Sequence, residues 1–586
     1  MAEIAENTLI KTRTKYDIEA EEREKKYGKN YKWLALSNTT LGAFMIGLDG
    51  SILLIALPAI FKGLGVNPLV PSNISLLLWL LLGYTVVIAA LTAALGRLSD
   101  MVGRVKIYNA GFLVFSIGSF LLFASSYLIH GVNGALALIV FRLVQAIGGA
   151  FMLSNYSAII VDAFPHKERG TGLGISQVGF VGGSLVGLVL GGILASIDWH
   201  LIFTINVPIG IIGTIWAYMS LHEIASIKKN QKLDLPGIIT FAAALVLLLM
   251  SFTYGLLPYG SSSMGWGNPF VEMGIIAGIA TLIGFIFIEL RSKDPMFKLE
   301  LFKIREFGAG ALSQFLSNMS RSGLQFILII WLQGVWLPLH GISFENTPLA
   351  AGIDMIPLIL GFALAGPLAG RLSDKHGSKH LATAGMVVAA IGFLLMLTLP
   401  LNFNYVEFAV IIFIIGVGGG MFNSPNMNAI MNSVPPENRG AVGGMLSSIF
   451  QVAFMFSLII FFSMLILGFS QSLPHALYSG LTSQGVSSSA ALNASKLPPT
   501  AALFAAFLGY NPMKTLLPQS VLNSIPAANM STIVGNEFFP NLISQPLQNG
   551  LVIIFIAGAI MALIAAIASS LRGKTMTYEG RKIEEK

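Results

Sequence analysis

The chain is 586 residues long, 54% hydrophobic and only 11% charged, with a formal net charge of +7 and no cysteine. Soluble globular proteins carry roughly 25% charged residues, so a soluble enzyme is excluded, and without cysteine so are disulfides and thiolate metal sites. The composition that remains is that of an all-α polytopic membrane protein, because about 20 apolar residues cross a bilayer as a helix.

In chain order, residues 1–32 are polar and charged and read as a cytosolic tail. The apolar segment that follows is too long for a signal-peptide core and is expected to be retained as the first helix. Spans are predicted at 33–61, 74–95, 107–129, 134–161, 171–195, 201–222, 236–257, 270–290, 308–336, 348–369, 380–400, 406–430, 441–469 and 549–571. An even number of spans puts both termini on one side. Placing them in the cytosol leaves only Lys62, Lys496 and Lys514 outside, with Arg142 and Arg321 inside helices. That bias obeys the positive-inside rule and accounts for the basic charge without nucleic acid. Residues 470–548, rich in Ser, Asn, Pro and Ala, are expected as an outer loop, and apolar islands such as AALFAAFLGY predict that it folds against the outer surface.

GRLSD occurs at Gly96–Asp100, between helices 2 and 3, and again at Gly370–Asp374, between helices 10 and 11. FPHKERGTGLG, starting at Phe164, matches VPPENRGAVGG, starting at Val434, and Gly148-Gly149 match Gly418-Gly419. These pairs place helices 1–6 in register with helices 9–14. The expected organisation is a tail (1–32), a six-helix bundle (33–222), two linker helices with their flanks (223–307), a second bundle (308–571) and a tail (572–586). Two parallel repeats around a midplane site are a layout of secondary transporters.

GRLSDMVGRVK resembles the loop signature of the major facilitator superfamily, and the six-plus-two-plus-six plan resembles its fourteen-helix drug:proton antiporter branch. LDGSILLIALPAI, RLVQAIGGA and DWHLIFTINVPIG carry the same resemblance. It implies that Gly96, Asp100, Gly103 and Arg104 belong to a conformational latch between the bundles, with Asp162 as a candidate partner of Arg104. Asp374 belongs to the second copy, which has Ser378 at the position of Arg104. The antiporter signature matches Gly187 to Gly192 except that Leu188 stands where proline belongs, so a proline kink is not expected.

Charges inside spans cost at least ~2.5–3.5 kcal/mol each on insertion scales and mark function by default. Asp49 in helix 1 and Arg142 in helix 4 fall at comparable depth in the first bundle. They are read as a proton-coupling pair, against the alternative of a permanent structural ion pair. Gly179, Gly183, Gly187 and Gly191 recur every four residues in helix 5 and predict a smooth face for close helix approach. In the second bundle Arg321 and Asp354 either pair with each other or bind substrate. Gln145, Asn423 and Asn426 are further candidates for the substrate path, since amides at such depth face the bundle interior, where they line a path or bridge helices.

No phosphate-binding loop, metal-ligand cluster or nucleophile constellation is present, so no cofactor is expected. The expectation is a secondary transporter, not an enzyme: a proton-coupled exporter of lipophilic, cationic compounds in the plasma membrane. The partners are a small-molecule substrate, protons and the lipid bilayer, and a monomer is favoured. The alternatives are a carrier for another solute, such as a metabolite or siderophore, and a membrane sensor or scaffold.

Overall fold

The computed structural model describes residues 26–67, 69–165, 168–224, 233–260, 262–435 and 439–573. Among them, fourteen helices are long and apolar enough to cross a membrane. The first repeat contributes α1 (Tyr31–Leu64), α2 (Ser72–Val102), α3 (Arg104–Leu128), α4 (Gly131–Ala163), α5 (Thr171–Ile197) and α6 (Leu201–Ser220). Two further spans follow, α7 (Leu235–Gly255) and α8 (Pro269–Arg291). The second repeat contributes α9 (Arg305–Leu339), α10 (Thr347–Ser373), α11 (Ser378–Met396), α12 (Tyr405–Asn432), α13 (Ala441–Ser483) and α14 (Phe538–Ser570). The chain is a multi-pass membrane protein. Its basic end carries the α2–α3 and α10–α11 junctions, and the opposite end carries the segment between α13 and α14.

The sequence repeat is a packing repeat. Gly111 of α3 has no room for a Cβ against Gly148 of α4, and Gly385 of α11 has none against Gly418 of α12. Two turns further along α3 and α11, Gly118 lies on the backbone of Gln145, and Gly392 lies on Ile415. Glycine here lets neighbouring backbones touch, which dispersion alone rewards inside lipid. The linker helices α7 and α8 pack on each other, with α7 also against α2. Only 17% of the apolar window of α8 is buried, which puts that helix at the periphery.

Two junctions differ from the sequence expectation. GRLSD is not a loop: Gly96–Asp100 and Gly370–Asp374 are the last turns of α2 and of the helix Ile356–His376. The turns are made by single glycines, Gly103 at φ +122° and Gly377 at φ +84°, a conformation that side chains rarely adopt. The segment 470–548 is likewise not a loop. The last helices run past their predicted ends, to Ser483 and back to Phe538, and short helices lie between them. One of these, Pro499–Phe507, is buried throughout. Phe504 stacks on Phe462 of α13 at 5.2 Å, and the backbone of Phe507 lies on Gly334 of α9. The apolar island AALFAAFLGY therefore folds onto the helix ends, as its composition implied.

The bundles meet where α2 faces α13 and where α5 faces α10. At the opposite end the contact is backbone on backbone: Gly192 on Leu349, and Leu188 on Gly352. Gln333 of α9 donates to the Ile55 carbonyl of α1 (3.2 Å), and Lys62 pairs with Glu345 at 2.9 Å. Towards the basic end, a Cβ on Gly444 would stand 3.5 Å from Ala93 Cα, an ordinary contact with room left. Gly50 of α1 and Gly182 of α5 border open space. The contact between the bundles is tightest at the opposite end.

Candidate functional site

Asp49 sits mid-way along α1 and is 1% exposed, and Arg142 of α4 is 2% exposed. The structure brings them together, with Arg142 Nη1 2.7 Å from Asp49 Oδ2. Two amides complete the site. Gln145 Nε2 donates to Asp49 Oδ1 (3.0 Å) and to Ser119 Oγ of α3 (2.8 Å), and Asn206 Nδ2 of α6 donates to Asp49 Oδ1 (2.7 Å). Arg142 donates to Gln145 Oε1 and lies 4.1 Å over the Tyr84 ring of α2. Residues 142 and 145 share a face because i and i+3 are neighbours on a helix. One carboxylate is thereby held by groups from two other helices, α4 and α6, which are themselves braced by α3 and α2.

Such a site depends on the charge of both partners. A buried ion pair is held only while both partners keep their hydrogen bonds, and removing one partner's charge leaves the other stranded at a cost of about 3–5 kcal/mol. Arg142 Nε finds no acceptor among the described residues. A proton arriving at Asp49 therefore changes what the whole cluster prefers. Asn206, Ser119 and Tyr84 were not singled out from the sequence. Asn206 had a legible signal, an amide inside the apolar start of helix 6, within the quoted DWHLIFTINVPIG.

At the basic end, Arg104 pairs with Asp100 (2.8 Å) and with Asp162 (2.6 Å), so α2, α3 and α4 are tied at one point. Glu223 accepts the backbone N–H groups of Arg104 and Val105, both at 3.0 Å. A carboxylate there meets the positive end of the α3 dipole. Arg97 reaches the Asp294 carbonyl beyond α8. The described contacts of Asp100 and Arg104 join helices within the first bundle, because the two residues are four apart across one glycine and face each other. Gly96 borders open space, so no close approach depends on it. Asp374 lies at the corresponding helix end, and its side chain is outside the described residues.

The helix-5 glycines divide into two faces. Gly179, Gly183, Gly187 and Gly191 lie against Thr40, Phe44, Leu48 and Ile52 of α1, one turn per contact. Gly192 faces Leu349 of the other bundle. With Leu188 in place of proline, α5 runs unbroken from Thr171 to Ile197.

In the second bundle two observations bear on the alternatives left open by the sequence. Arg321 and Asp354 do not pair. Arg321 lies 4.7 Å over the Phe362 ring of α10, whereas Asp354 sits where the α10 helix is interrupted at Met355. Eight residues separate Asp354 from Phe362, about 12 Å along a helix, too far for one guanidinium to serve both. Asn423 and Asn426 are held rather than free. Gln314 of α9 donates to Asn423 (3.0 Å), Asn426 donates to Gln314 (2.5 Å) and to the Gly310 carbonyl (3.3 Å), and Arg572 donates to Asn426. These amides bridge α9, α12 and the start of the C-terminal tail. Burial pushes the Arg572 guanidinium down to about 10, against the raising influence of Glu306, and leaves it charged at neutral pH.

The family profile described as the Major Facilitator Superfamily matches residues 39–290 and 234–458. The chain is 32% identical over 449 residues to the riboflavin transporter RibZ of Clostridioides difficile, covering 76% of this chain and 90% of that protein. It is 28% identical over 424 residues to the multidrug transporter protein MdtP of Bacillus subtilis, covering 71% and 72%. Among solved structures, an inward-facing bacterial homologue of the human lysosomal transporter Spinster superposes with a TM-score of 0.52 at 17% identity, covering 94% of this chain and 98% of that one. An auto-inhibited POT-family peptide transporter superposes with a TM-score of 0.51 at 13% identity, covering 85% and 99%. At these identities the superpositions speak for the fold.

Proposed function

The chain belongs to the major facilitator superfamily, and from that premise we propose that it is a proton-coupled exporter of lipophilic small molecules in the plasma membrane. It works by alternating access, with its basic end and both termini in the cytosol. The observation that carries this reading is the buried carboxylate of Asp49, held by Arg142, Gln145 and Asn206 next to open space at Gly50. Protonation of Asp49 removes the charge that holds Arg142. The guanidinium then favours a different arrangement of α1 and α4, and the bundles gain a reason to change orientation. Arg104, with Asp100 and Asp162, keeps the basic end of the first bundle rigid, so that this local change moves whole helices. The smooth α1–α5 face and the Gly192–Leu349 contact supply the surfaces on which the closed end parts.

Export of lipophilic compounds is supported by the multidrug relative, and a flavin-type carrier is a second reading favoured by the 32% identity to RibZ. One experiment separates them. Purified protein is reconstituted in vesicles containing a pH-sensitive dye and challenged with ethidium or riboflavin. Substrate-driven proton movement that Asp49→Asn abolishes, while exchange of the same substrate down its gradient persists, is the expected result. Proton movement in Asp49→Asn equal to the parent would sink the proposed role of Asp49.

A further inference from the structure

The two repeats carry opposite charges at matching places. The glycine pairs that align α3–α4 with α11–α12 bring Asp49 of α1 within one turn of Arg321 of α9. Asp49 is enclosed and fully engaged by other side chains; Arg321 is not. Only the Phe362 ring is described against its guanidinium, and its Cδ lies beside Gly419 of α12, where a Cβ would stand 3.4 Å away. Among the described residues, no hydrogen bond or ion pair is made to it. Asp354 is more than two turns away along α10, and Asp49 is taken. Arg321 is nonetheless mid-way along its helix, packed between α10 and α12, and partly exposed.

Its neighbours on α9 share this state. Asn318, one turn before Arg321, is 3% exposed with its Nδ2 unpartnered, and Gln325 lies one turn after it. Spacings of three and four residues put Asn318, Arg321 and Gln325 on one face of the helix. An intramembrane cation normally finds a protein partner. Here the donors outnumber the acceptors, and an aromatic ring lies beside them.

We propose that Arg321, Phe362 and Asn318 form a substrate subsite for planar aromatic solutes that carry an acceptor edge, a carboxylate or paired ring carbonyls, and that this subsite disfavours lipophilic cations. The inference rests on the transporter reading above and narrows its substrate class. The guanidinium fork presents parallel N–H donors that match two acceptor oxygens in one plane, which an ammonium does not. Phe362 offers its ring to an aromatic body. A cationic solute would meet an uncompensated positive charge in the same place.

Two fluorescent probes of the same shape test this: anthracene-9-carboxylate and 9-(aminomethyl)anthracene, titrated into the purified full-length protein and read by anisotropy. The parent is expected to bind the carboxylate at least tenfold more tightly than the amine. Arg321→Gln should erase or invert that ratio; Arg321→Lys, which keeps the charge and loses the fork, should restore part of it. Phe362→Ala should weaken both probes and leave their ratio intact. An unchanged ratio in Arg321→Gln, an equal loss of both probes there, preference of the parent for the amine, or failure of the parent to bind either probe saturably would each overturn the proposal. The binding ratio is independent of proton movement. Proton movement in Asp49→Asn equal to the parent, with the binding ratio preserved, would therefore refute the coupling reading and leave this one standing.

Discussion

Substituting Asp49 by asparagine should destabilise the protein through Arg142 rather than through Asp49 itself. Asparagine keeps the size of the side chain but removes the charge, and Arg142 is then a buried cation, 2% exposed, without its counter-ion. Stranding one partner of a buried pair costs about 3–5 kcal/mol. Arg142 retains the Gln145 carbonyl oxygen and the Tyr84 ring, and a desolvated cation–π contact offsets about 2 kcal/mol. The expected net loss is therefore about 1–3 kcal/mol. Changing Arg142 to glutamine as well removes the stranded charge, so the double variant should be more stable than Asp49→Asn alone. The assay is unfolding in a mild detergent for the parent, both single variants and the double variant. Additive effects, with a coupling below about 0.5 kcal/mol, would refute the argument, because they would mean that the two charges do not depend on each other.

At Gly183 a Cβ would collide with the backbone of Phe44, so Gly183→Leu should force α5 off α1 at a cost of about 1–3 kcal/mol, read as a lower unfolding temperature in detergent. Gly192→Leu meets the other bundle at Leu349 instead; it should leave unfolding nearly unchanged and raise the open population at the opposite end, measured by spin-label distances between α5 and α10. Lys62, by its hydrogen bond, holds the Glu345 carboxyl below its ordinary value, so the Lys62–Glu345 link is intact at neutral pH and is lost as pH falls through that depressed value. Both partners are exposed, so Glu345→Gln should shift the closed population by no more than about 1 kcal/mol; the same distances recorded for parent and variant should differ at neutral pH and converge in acid or high salt.

The fold was legible because bilayer insertion imposes length and apolarity on each span, and because repeated glycines mark where backbones must touch. Gly148 and Gly418 were found as letters and proved to be the same helix contact. The Asp49–Arg142 pair was legible for the opposite reason: in a chain so poor in charge, two intramembrane charges of opposite sign at similar depth have few other partners to find. What escaped depended on side-chain direction. Asn423 and Asn426 had the right type and depth for a path or for a bridge between helices, and only the structure could show that Gln314 and Arg572 engage them. GRLSD looked like a loop because its charges and glycine suit one. A helix end held by Arg104 and closed by one positive-φ glycine has the same composition.

The two repeats began with the same helix plan and now differ in how each treats its central charge. In the first, α1 carries a carboxylate, and α4 and α6 supply a guanidinium and an amide that enclose it. In the second, the position matching Arg142 is Ile412, fully buried among apolar side chains, so α12 offers no ionic partner to the charge on α9. A charge enclosed by partners responds to a proton, because the proton changes the partners' balance. A charge without partners responds to a solute, because the solute supplies what is missing. Under the function and subsite proposed above, the two bundles would separate the site that is switched from the site that recognises, with a change of orientation linking them.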